Sequence, residues 1–203
     1  MLAFLNNDVE VITPEWLTEM VSHALRPEVG AVGAKLLYPN GTIQHAGVVV
    51  GIGGLAGHPH VGLPRGMPGY FGRAACVQQF SAVSAACMVI RREVFFEVGG
   101  FDEKNFAIAF NDVDIGLRLR RERYSIVWSP YAQLFHHESA SLGLPSGEGR
   151  RKQFLAESSN FKRIWANAIA HDPFYNPNLT NTGGEFTPAT PPRVVKPWTA
   201  FIK

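Results

Sequence analysis

The stretch Leu2-Ala3-Phe4-Leu5-Asn6-Asn7-Asp8 decides how the chain is read. Four apolar residues run without interruption and stop at two amides and a carboxylate. A short continuous apolar run bounded by polar residues has the pattern of a buried strand. This one delivers Asn6, Asn7 and Asp8 at its C-terminal end. Thr13-Pro14 follows, a capping hydroxyl before a proline at a first helical position. Leu17, Met20, Val21, Ala24 and Leu25 then recur at helical spacing up to Pro27.

Working outward, residues 31–38 and 43–50 are β-rich and are joined by Pro39-Asn40-Gly41-Thr42, a hairpin signal. Residues 51–72 hold eight glycines and three prolines and read as a long loop carrying His58 and His60. Strand character returns over 77–90. A short helix over 92–98 is stopped by Gly99-Gly100, and a helix over 111–122 has an acidic first turn. A strand over 126–135 ends in His136-His137-Glu138. Residues 148–171 read as a helix with Phe154, Phe161, Ile164, Trp165 and Ala168 on one side. Residues 172–203, rich in Pro, Asn and Thr, read as an irregular tail of low intrinsic order. Strands alternating with helices, with one hairpin among them, predict an α/β fold built on a mixed sheet.

The composition agrees. Of 203 residues, 46% are hydrophobic and 18% charged, which is globular and excludes disordered, collagen-like and coiled-coil chains. A net charge of +2 gives no reason to expect a nucleic-acid partner. Cys76 and Cys87 are too few for a disulfide framework or a four-cysteine zinc site, and suit a reducing compartment. No apolar run reaches the roughly 20 residues of a membrane span, and no basic, signal-like segment opens the chain. A cytoplasmic location is the expectation.

Three groups of chemically able side chains fall at element ends, where open α/β sheets bind ligands. Asp8 ends the first strand and is an oxygen donor suited to a hard divalent cation. Asp112 and Asp114 open a helix at i and i+2, so they do not share a face. Asp114 is placed to pair with Arg118 at i+4, which leaves Asp112 to act as a general base. At that helix start the dipole favours the ionised carboxylate. His136 and His137 are neighbours in extended chain and face opposite ways, so one alone can meet Asp8.

The order of these groups resembles family-2 glycosyltransferases of the GT-A fold. The resemblance rests on Leu2–Val11, Val98-Gly99-Gly100-Phe101-Asp102-Glu103, Phe110-Asn111-Asp112-Val113-Asp114-Ile115-Gly116-Leu117-Arg118, Tyr131-Ala132-Gln133-Leu134-Phe135-His136-His137-Glu138-Ser139 and the tail from Asp172 to Leu179. It implies a partial GT-A fold: residues 1–147 as the C-terminal part of the catalytic domain, without the family's N-terminal nucleotide-binding half, and 148–203 as a C-terminal helix and tail. It implies transfer of a sugar, with inversion, from a nucleotide-diphosphate donor to a hydroxyl of a glycan or lipid-linked acceptor. It assigns Asp8 and His136 to a Mn or Mg ion and Asp112 to the base. It marks Asn6, His45, His58, Asn111 and His137 as substrate-side residues. Two positions depart from the pattern: Asn6-Asn7-Asp8 keeps only the last acid, and Asn111-Asp112 replaces a Glu-Asp pair. A chain entering the fold mid-sheet is expected to self-associate through its first strand, and a peripheral membrane association fits a lipid-linked acceptor. The rival expectations are a non-catalytic glycan-binding relative and a metal-dependent hydrolase.

Overall fold

In a computed structural model, residues 1–137, 148–182 and 185–194 are described. The expected boundary at 147, and Glu138 and Ser139 of the histidine segment, lie outside them. The strands are β1 (Leu2–Leu5), β2 (Val9–Val11), β3 (Val29–Leu37), β4 (Ile43–His45), β5 (Val49–Val50), β6 (Ala56–Gly57), β7 (Gln78–Phe80), β8 (Cys87–Ile90) and β9 (Ser125–His136). The helices are α1 (Trp16–Ala24), α2 (Arg92–Glu97), α3 (Asn111–Arg121) and α4 (Glu148–Ala170). The fold is mixed α/β, as the alternation of elements predicts.

The main sheet runs β1-β8-β3-β9-β2, with β4 added to β3 and β7 to β9. Its long axis is the parallel pair β3·β9, and the other pairings are antiparallel. β3 is buried along its whole length, as its near-continuous apolar sequence requires. The register of β3 on β9 slips between Ala34 and Lys35. There β9 carries three residues, Pro130, Tyr131 and Ala132, without partners on β3. β1 stands at a sheet edge among the described residues, alternating half-buried and exposed, with Leu5 47% exposed. On one face Phe80 and Trp128 of the sheet pack with Ile115 and Leu119 of α3, and on the other lie Met20 and Ala24 of α1.

Four local expectations differ. Thr13 does not cap α1; its hydroxyl accepts the Gln133 N–H at 2.9 Å and ties the helix entrance to β9. The run 43–50 breaks into β4 and β5 at Gly47, whose φ of 89° leaves the strand region. The run 77–90 splits into β7 and β8, which pair with different neighbours because residues 81–86 turn along the 45–48 segment instead. The described residues of the tail form no helix and no strand longer than a single bridge, yet they pack: Tyr175 is 4% and Leu179 6% exposed, so buried apolar area holds what local propensity does not.

Asp114 takes the expected structural role. Its Oδ2 receives Arg118 Nε–H at 2.7 Å and its Oδ1 receives Trp165 Nε1–H at 2.9 Å. Arg118 also donates to the carbonyls of Val98 and Gly100.

Candidate functional site

Asp8 lies in the turn between β1 and β2, and β2 pairs Val9 directly with His136 at the end of β9. That register brings the two side chains together. His136 Nε2 is 3.2 Å from Asp8 Oδ1, and both side chains are 13% exposed. The amide nitrogen of Asn6 is also 3.2 Å from His136 Nε2. His137 points the other way, to Glu10 at 3.1 Å, while its backbone N–H holds the Asp8 carbonyl.

Gln44, a buried residue of β4, fixes the orientation of the His136 ring. Its amide NH2 donates to the His136 carbonyl at 3.3 Å, which leaves Oε1 to accept from His136 Nδ1–H at 2.6 Å. In its neutral form the ring therefore turns an Nε2 lone pair toward the Asp8 carboxylate and the Asn6 amide N–H. Asp8 Oδ1 is itself buried without a hydrogen-bond partner. Two electron-rich atoms turned on each other in this way suit a shared cation, and an imidazole locked from behind is how proteins present a metal ligand. Asp8 and His136 thus fit a hard divalent ion in donor type. Among the described residues no group of three or more His, Cys, Asp or Glu side chains converges on one point, so such an ion would need ligands beyond these carboxylate and imidazole groups.

The next residue, His45, begins a second set. It is buried, and its Nε2 accepts the Ser84 N–H at 3.2 Å. Its Nδ1 lies 2.8 Å from Nδ1 of His58. Burial, with His58 and His136 adding to it, pushes His45 well below the ordinary histidine value and keeps it neutral. The β5·β6 hairpin places His58 beside Asp112. The two share a pocket of about 170 Å³ with Val48, Ala56, Gly57, Phe110 and Val113.

Asp112 is the second residue of α3, whose N-cap Phe110 is a non-glycine residue at φ 63° that stacks on Phe161 at 4.8 Å. Backbone strain of this kind persists only where the surroundings impose it. Asp112 Oδ1 receives its neighbour's N–H, from Val113, at 2.8 Å, and Oδ2 receives that of Ala85 at 3.3 Å. Asn111 Oδ1 accepts the Asp112 N–H at 2.7 Å. The helix end does not win the contest for its charge. Burial raises the Asp112 carboxyl above the usual range, against the pull of His58 and then of the backbone amides.

One corner of the sheet therefore gathers Asn6, Asp8 and His136, then Gln44 and His45, then His58, Asn111 and Asp112. His137 alone of the expected residues turns away. The sequence reading did not single out Gln44, Ser84 and Ala85. The last two act through backbone N–H groups, which no side-chain pattern reveals. A larger cavity, of about 330 Å³, lies at the C-terminal ends of α3 and α4 and holds none of the expected residues. Its arginines are engaged, Arg121 on the Trp165 ring at 4.0 Å and Arg120 with Ser81 and over Phe174.

No family model matches the chain. It is 50% identical over 191 residues to the uncharacterized protein y4gI of Sinorhizobium fredii, covering 94% of this chain and 21% of that protein. It is 46% identical over 191 residues to the O-antigen biosynthesis protein RfbC of Myxococcus xanthus, covering 90% of this chain and 14% of that protein. It is 41% identical over 61 residues to an N-acetylglucosaminyl-diphospho-decaprenol L-rhamnosyltransferase of Mycobacterium tuberculosis, covering 30% of this chain and 20% of that protein. The chain thus spans about a fifth or less of the length of these relatives.

Proposed function

We propose that the chain is the metal- and acceptor-binding portion of a glycosyltransferase acting in cell-surface polysaccharide synthesis. The arrangement of Asp8 and His136 at one end of a connected set, and Asp112 at the other, carries this reading. The names of two relatives, an O-antigen biosynthesis protein and a rhamnosyltransferase, point the same way. The donor is a nucleotide-diphosphate sugar and the acceptor a hydroxyl of a glycan or lipid-linked sugar. Asp112 takes the acceptor proton as the new bond to the anomeric carbon forms and the bond to the diphosphate oxygen breaks. Attack without a covalent intermediate inverts the anomeric centre. Bound at Asp8 and His136, Mg²⁺ or Mn²⁺ supplies charge neutralisation for the departing diphosphate. No helix among the described residues is long and apolar enough to cross a membrane, and we assign the reaction to the cytoplasm, with any membrane contact peripheral.

A thermal-shift screen of nucleotide-diphosphate sugars, with and without Mn²⁺, on the longest product of the gene tests this reading. A Mn²⁺-dependent shift with one donor, followed by transfer to an added glycan, supports it. Donor hydrolysis that ignores the acceptor would favour a hydrolase. Glycan binding without donor response would favour a non-catalytic relative.

A further inference from the structure

The pocket between His58 and Asp112 has a donor side as well as an acceptor side. The Ser84 N–H fixes His45 Nε2 as an acceptor, so the neutral ring carries its proton on Nδ1. That proton lies on the 2.8 Å contact to His58 Nδ1, which must accept it. The Gly47 carbonyl, at 3.4 Å from the same His58 nitrogen, is the longer contact. His58 is left with its proton on Nε2, at the tip of a solvent-reachable ring. The loop that carries it is held two residues on, where His60 is buried, stacks on Phe186 at 4.7 Å and donates its N–H to Glu185 at 2.6 Å.

The remaining walls, Val48, Ala56, Gly57, Phe110 and Val113, are apolar. A small apolar pocket with few placed polar groups is the usual form of a ligand site. Its volume matches about five or six water molecules, the size of one sugar ring. A carboxylate accepts a hydrogen bond and an imidazole N–H donates one. Two adjacent sugar hydroxyls satisfy both, one giving its proton to Asp112 and its neighbour accepting from His58.

We propose that His58 is a second substrate-contacting residue, and that with Asp112 it selects an acceptor sugar with adjacent hydroxyls. His45 is the positioning residue that aims it. This deepens the proposed function, resting on its reading of Asp112 as the acceptor-side group.

The test is binding, which needs neither donor nor turnover. The probes are methyl α-L-rhamnopyranoside and its 3-deoxy form, in which no two hydroxyls are adjacent, titrated by NMR. His58→Gln keeps an N–H donor and His58→Ala removes it, each checked for an unchanged thermal midpoint. The wild type is expected to bind the parent sugar more tightly than the 3-deoxy form. His58→Ala should weaken the parent about 3- to 10-fold, the scale of one net hydrogen bond, and leave the 3-deoxy form unaffected. His58→Gln should stay within about 3-fold of wild type. Equal weakening of both sugars by His58→Ala, no weakening of either, or no binding to the wild type overturns the proposal. If His58→Ala does not fold, His58→Gln decides: discrimination between the sugars kept supports it, discrimination lost overturns it. Sugar selection in a protein that transfers nothing under any condition would sink the transferase reading and leave this one standing.

Discussion

Gln44 Oε1 lies 2.6 Å from His136 Nδ1, and that contact turns the other ring nitrogen on Asp8. Gln44→Leu removes the acceptor and frees the ring to flip or change tautomer. Losing such an outer contact costs about 10- to 100-fold in metal affinity. Mn²⁺ titration followed by thermal shift should show a weakening of that order for Gln44→Leu and no Mn²⁺ response for Asp8→Ala. His137→Ala should behave as wild type, since His137 faces Glu10. A Gln44→Leu protein with undiminished Mn²⁺ affinity would detach this residue from the metal.

Asp112 must be ionised to accept a proton, and burial holds its carboxyl above the ordinary range. As pH falls through that raised value the base is protonated and transfer stops. The acid limb of kcat/KM should therefore lie above pH 4, the region of an unperturbed aspartate. Asp112→Asn should lower turnover by about 10²–10⁴-fold, and, because both oxygens accept backbone N–H groups and the amide keeps only one acceptor, it should also lower the melting temperature. Full activity in that variant would move the base elsewhere.

Much of this corner is legible in the sequence because its groups sit at element ends. Leu2–Leu5 and Ser125–His136 are written as apolar runs stopped by polar residues, and Asp114 and Arg118 stand at helical spacing. Val9–Val11 is three residues with a glutamate at its centre, too short for a periodicity. Its existence decides where Asp8 sits. The split of residues 77–90 is hidden because Ser81-Ala82-Val83-Ser84-Ala85-Ala86 is as apolar as a strand. What sets it apart is tertiary: its N–H groups serve His45 and Asp112 instead of a ladder. Gln44 is an ordinary strand glutamine until His136 arrives from 92 residues away.

His60 gives the fold a pH dependence. Burial, with Arg73 and Lys35 adding to it, lowers its value from 6.5 to about 4. On acidification the unfolded chain binds the proton first, near 6.5, while the folded chain refuses it until about 4. Stability present above 6.5 is therefore lost as pH falls across this window. The full shift corresponds to about 3 kcal/mol, which solvent near the loop reduces to about 2 kcal/mol. His60→Phe keeps a ring for Phe186 to stack on and removes the titration. Urea unfolding at pH 7 and pH 5 should show a smaller loss for His60→Phe than for wild type. Parallel losses in the two proteins would assign the effect to other groups.

The spacing between α3 and the 81–86 segment is set by Gly116. A Cβ there would lie 2.7 Å from the Ala82 Cβ and 3.0 Å from both the Ala82 Cα and the Ser81 carbonyl oxygen. These are backbone and near-backbone atoms that cannot rotate aside, so the helix and the segment must part. Gly→Ala inside a helix gains about 1 kcal/mol in propensity, whereas overpacking costs about 1–3 kcal/mol. The clash, against atoms that cannot rotate aside, wins for Gly116→Ala, with a net loss of up to about 2 kcal/mol. Gly149, in α4, has nothing within 4 Å of its would-be Cβ, and Gly149→Ala should melt at or slightly above the wild-type temperature. The same displacement reaches the site, because α3 carries Asp112 and the segment carries the Ala85 N–H bonded to it. Gly116→Ala should therefore lose transfer activity beyond what its folded fraction explains, at a temperature where both variants are fully folded. A Gly116→Ala protein that melts like Gly149→Ala, with undiminished turnover, would show that the helix can yield without disturbing Asp112.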